Sequence, residues 1–87
     1  MQNYTDKYGA RCINLEHYRI RIRKADTLAY CVNAGRTADG YMDDVATYVT
    51  AADMDEAEKR ALELLREYLE NSKKEIEETL TELDQIK

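Results

Sequence analysis

Eighty-seven residues with no Trp, Phe or Pro and seven Tyr exclude a second domain and a large aromatic core, since so short a chain buries only about 60–65% of its unfolded surface. The net charge of −5 conceals two unlike halves: residues 1–38 carry seven Lys/Arg against three Asp/Glu, and residues 39–87 carry six against fifteen. Such a balance repels duplex DNA as a whole while leaving room for a local basic patch.

Residues 1–11 are polar, contain Gly9 and read as a flexible leader without an apolar signal core. No run approaches the ~18 consecutive apolar residues of a membrane span. A cytoplasmic protein is therefore expected (host cytoplasm if phage-encoded), away from membranes, with Cys12 and Cys31 reduced.

Residues 12–50 read as an antiparallel sheet. "YRIRIRK" puts Tyr18, Ile20 and Ile22 on one face of a strand and Arg19, Arg21 and Arg23 on the other. Ile13 and Leu15 share the parity of the arginines, so either the strand begins near His17 or a bulge around Asn14–Glu16 flips the register. After the turn "KADT", "LAYCVNA" is a second strand. A three-residue loop (Ala25, Asp26, Thr27) pairs Ile22 with Tyr30 and Ile20 with Val32, which gathers the large apolar groups on one face. "GRTADG" is the next connection, and "YMDDVATYVT" is a third strand, with Val45, Thr47 and Val49 opposite in face to Ala46, Tyr48 and Thr50.

Residues 53–86 read as helix. Asp53 is the N-cap, with Glu56 three residues on in a capping-box pattern. Met54, Ala57, Ala61, Leu64, Leu65, Tyr68 and Leu69 recur at helical spacing. No Pro or Gly interrupts the stretch, which favours one continuous helix, with 72–86 projecting beyond the sheet. The rival is a kink or second helix after Asn71, folded back, with Ser72 and Glu75 as a fresh capping box. The expected fold is α+β: a three-stranded antiparallel β-meander packed on a long C-terminal α-helix, as a single domain.

Three surfaces are candidates for function. Arg19, Arg21 and Arg23, with Tyr48, form an interaction face suited to carboxylates, because a guanidinium binds them bidentately. Phosphates are the alternative, since small sheet-plus-helix modules do read nucleic acid through a sheet face, though three cations give few counterions to release. Leu69, Ile76, Leu80, Leu83 and Ile86 form a self-association seam that predicts a homodimer, weakened by Ser72 and Thr79. Glu67, Glu70, Glu75, Glu78 and Glu82 form an acidic face that either imitates a phosphate backbone or is simply solvated.

Catalytic chemistry has little to work with. Ser72 is the only serine and His17 the only histidine, and Cys12, His17 and Cys31 lack zinc-ligand spacing. "GRTADG" lacks the Lys and helix start of a phosphate loop. No catalytic residue, metal or cofactor is expected. The expectation is a small non-catalytic protein that occupies a surface on another protein, with a nucleic-acid-binding module or a structural dimerisation domain as alternatives. A phage or mobile-element inhibitor of host defence, of the anti-CRISPR type, is one concrete form.

Overall fold

Hydrophobic periodicity without a helix breaker produces one helix, α1 (Met54–Gln85), in the computed structural model, which describes residues 2–37 and 45–85. Thirty-two residues span about 48 Å, which accounts for most of the molecule's 55 Å long axis. The helix runs straight through Ser72, so the rival reading of a break after Asn71 is set aside. Without Pro or Gly, nothing removes a backbone hydrogen bond there.

Five strands, not three, precede it among the described residues: β1 (Gln2–Thr5), β2 (Arg11–Asn14), β3 (Tyr18–Asp26), β4 (Ala29–Arg36) and β5 (Val45–Thr50). They form one antiparallel sheet in sequential order β1-β2-β3-β4-β5. The general class, α+β with a long C-terminal helix, is as the sequence implies. The strand count was low because β1 and β2 are four residues each, with too few side chains per face for alternation to register. Residues 2–5, read as leader, are thus an edge strand. Gly9, at φ +82°, lets the chain reverse between β1 and β2.

The parity change between Ile13 and Ile20 comes from a hairpin: Ile13 pairs with Ile20, and Leu15 N–H donates to the Tyr18 carbonyl at 2.8 Å. The next hairpin has the anticipated faces in a different register. Ile22 pairs with Val32 and Ile20 with Ala34, while Tyr30 lies opposite Lys24. A bulge between Lys24 and Asp26 extends β3, and the chain turns at Thr27–Leu28. An even shift of two keeps every side chain on its face, so face matching alone could not distinguish the two registers.

One face of the sheet carries Ile13, Ile20, Ile22, Val32 and Ala34, all buried. α1 lies on it through Ala57, Ala61 and Leu65, spaced by four, with Met54, Tyr68 and Leu69 at the margins. The two alanines let helix and sheet approach closely. Complete burial of Ile13, Ile20, Ile22 and Val32 is worth about 1.5–3 kcal/mol per side chain. The start of α1 is capped as expected, Glu56 N–H donating to Asp53 Oδ1 at 2.8 Å. The return bond differs: Glu56 Oε2 accepts from Ala52 N–H at 3.1 Å, one residue before the cap.

Candidate functional site

The other face of the sheet has no element packed on it among the described residues, and pairing fixes what it presents. Tyr4, Cys12, Arg21, Asn33 and Ala46 stand in one row across the five strands. Arg23, Cys31 and Tyr48 stand in a second row, and Asn14, Arg19 and Gly35 in a third. The sequence-derived face of Arg19, Arg21, Arg23 and Tyr48 is therefore brought together. Tyr48 and Arg23 are two strands apart, about 10 Å, with only Cys31 between them. Small neighbours (Cys12, Cys31, Gly35 and Ala46) leave the arginines and tyrosines standing above a low floor.

The three arginines are not equivalent. Arg19 and Arg23 are exposed and meet no carboxylate among the described residues. Arg21 is half-buried and its Nε donates to Asp6 Oδ2 at 3.2 Å. Asp6, in the β1–β2 turn, is a hub that sequence reasoning missed. Its Oδ1 accepts from the N–H groups of Tyr8 (2.8 Å) and Ala10 (3.0 Å). Burial pushes the Asp6 carboxyl up. The backbone donors at Ala10 and Tyr8 and the Arg21 guanidinium outweigh this and hold it below its ordinary value. An Asp followed by Gly three residues on was the only sequence sign of this turn.

Two tyrosines flank the arginines at opposite edges of the face. Tyr48 on β5 is 67% exposed and Tyr4 on β1 is 49% exposed. Tyr4 was invisible as part of this surface while β1 was read as leader.

The second candidate surface lies along α1. Leu69 is half-buried, whereas Ile76, Leu80 and Leu83 are 60%, 56% and 57% exposed. Every described residue from Lys73 onward is exposed, so that part of the helix projects past the sheet. Ile86, the last residue of the anticipated seam, lies outside the described residues. Toward the sheet the stripe merges into a shallow apolar groove of about 450 Å³, whose walls include Leu15, Leu62, Leu65 and Leu69. Glu67, Glu70, Glu75, Glu78 and Glu82 are all exposed, and Glu70 is at the rim of that groove.

A polar clamp seats the helix start. Arg11 on β2 meets Asp55 at 2.8 Å and Glu58 at 3.6 Å, and Asn3 on β1 donates to Glu58 at 2.7 Å. Arg60 and Glu56 pair at 3.2 Å along the helix. Donors at Ala52 N–H and Arg60 lower the Glu56 carboxyl below its usual value.

The groups with catalytic chemistry are scattered. His17 sits exposed in the β2–β3 turn beside Glu16, Ser72 is on the helix, and Cys12 is buried in β2 near Asp6. Among the described residues no three His, Cys, Asp or Glu side chains are grouped to hold a metal ion. No helix among them is long and apolar enough to cross a membrane. Comparison with family models, curated proteins and solved structures finds no match to this chain.

Proposed function

We propose that this chain is a small non-catalytic binding protein that occupies a surface on another protein through the uncovered face of its sheet. The observation that carries this reading is the uncovered array of Arg19, Arg23 and Tyr48, held side by side by the pairing of β3, β4 and β5. Arg and Tyr dominate the energetics of protein interfaces because each buries a large, stiff group and keeps a polar end for hydrogen bonding. With Arg21 engaged by Asp6, two guanidinium forks remain to receive carboxylates of a partner. A phage or mobile-element inhibitor is one form such a binder takes; small size and acidity are what support it.

The second reading, a nucleic-acid-binding module, is favoured by the aromatic pair Tyr4 and Tyr48, which could stack bases beside Arg19 and Arg23. Two unpaired cations would release few counterions, so such binding would be weak at physiological salt. Titration of labelled single-stranded DNA and RNA at about 150 mM salt distinguishes the two. The protein-binding reading predicts no saturable signal. Saturable binding that disappears in an Arg19→Glu/Arg23→Glu variant would replace it with the nucleic-acid reading.

A further inference from the structure

The exposed apolar stripe on α1 has a regular spacing. Leu62, Leu69, Ile76 and Leu83 follow one another at intervals of seven residues, the repeat at which helices wind together. The first two line the groove beside Leu15 and the last two project beyond the sheet. Leaving Ile76, Leu80 and Leu83 wet forfeits the hydrophobic gain of burying them. One flank of the stripe is charged with the same period. Lys59, Arg66 and Lys73 lie next to it at intervals of seven, and Glu70, Glu77 and Asp84 lie just outside them, also at intervals of seven. The cations are concentrated toward the sheet and the anions toward the free end.

We infer that the occupant of the stripe is a second copy of this chain, running antiparallel. Reversal brings Leu62 opposite Leu83 and Leu69 opposite Ile76, so every member of the repeat meets another. In the same register Lys59 faces Asp84, Arg66 faces Glu77, and Lys73 faces Glu70 across the pair, each with the same offset. Two-fold symmetry generates each of these pairs twice. The projecting segment 74–85, with one lysine against five carboxylates, comes to rest beside the basic sheet of the other copy. Each free helix end then fills the groove next to Leu15.

A parallel pair fails on two counts. It would turn the cationic flank toward Ala61, Leu65 and Tyr68 of the other helix, which are already packed against its own sheet. It would also bring the two acidic ends side by side. The antiparallel pair leaves the Arg19, Arg23 and Tyr48 face uncovered, so this inference stands independently of the proposed function.

Sedimentation equilibrium of the full chain, and distance measurement between nitroxide labels, test it together. The chain should sediment at twice its 10.1 kDa mass at roughly 50 µM protomer. Reversal of Lys59, Arg66 and Lys73 to Glu, or of Glu70, Glu77 and Asp84 to Lys, should each give a folded monomer by circular dichroism. Mixing the two variants should restore a dimer, now heteromeric. A label at Gln85→Cys, with Cys12→Ala and Cys31→Ala, should report about 40 Å between copies, against about 10–15 Å for a parallel pair. A monomer at this concentration, a dimer indifferent to both charge reversals, or the short distance would each overturn the inference.

Discussion

Asp6 connects three pieces of chain that sequence distance keeps apart: its own turn, Cys12 on β2 and Arg21 on β3. Because its carboxyl is held below the ordinary value of 3.8, it contributes stability at pH above that value. The contribution disappears as pH falls through the lowered one. Asp6→Asn should therefore lower the melting temperature near neutral pH, and the gap to the unmodified chain should narrow at pH well below 3.8, as the lowered carboxyl takes up its proton. Thermal melts at the two pH values check this, and an unchanged gap at low pH would contradict it. The sequence disclosed the arginines and their face through strict alternation. It did not disclose that Arg21 is engaged, because the partner lies fifteen residues away across a strand pairing that no local pattern encodes.

Elements differ in how strongly they announce themselves. α1 was legible in its first half, since apolar spacing of three and four persists over several turns and Asp53 marks its start. Its continuity past Asn71 was favoured only by the absence of Pro and Gly, against a fresh capping box at Ser72 and Glu75. β1 and β2 were not legible, since short strands depend on pairing with their neighbours and carry little signal of their own. The same distinction predicts where substitutions matter. Leu65→Ala, at the buried centre of the helix–sheet contact, should cost about 2–5 kcal/mol in denaturant unfolding. Glu78→Ala, on the exposed projecting end, should fall within about 0.5 kcal/mol. Truncation after Asn71 should leave the sheet and the first half of α1 folded, because no described residue beyond Ser72 is buried. It should also remove the dependence of melting temperature on protein concentration. A truncated chain that fails to fold would show that the projecting segment supports the monomer itself.

At the scale of the whole molecule, charge is sorted by structure. The described strands carry six cations against one carboxylate, Asp26, whereas the helix carries five cations against eleven carboxylates. The general architecture and this segregation could be read from composition and periodicity. The completeness of the open face could not, since Tyr4 joins it only through the pairing of β1 with β2. The proposed division of tasks gives the helix to a second copy and the open sheet face to another protein. Affinity capture from a nuclease-treated bacterial lysate tests that assignment most directly, with the unmodified chain, an Arg19→Glu/Arg23→Glu/Tyr48→Ala variant and the chain truncated after Asn71 side by side. The expected outcome is a protein retained by the unmodified and truncated chains and lost from the triple variant. Retention by the triple variant, or loss on truncation alone, would contradict it.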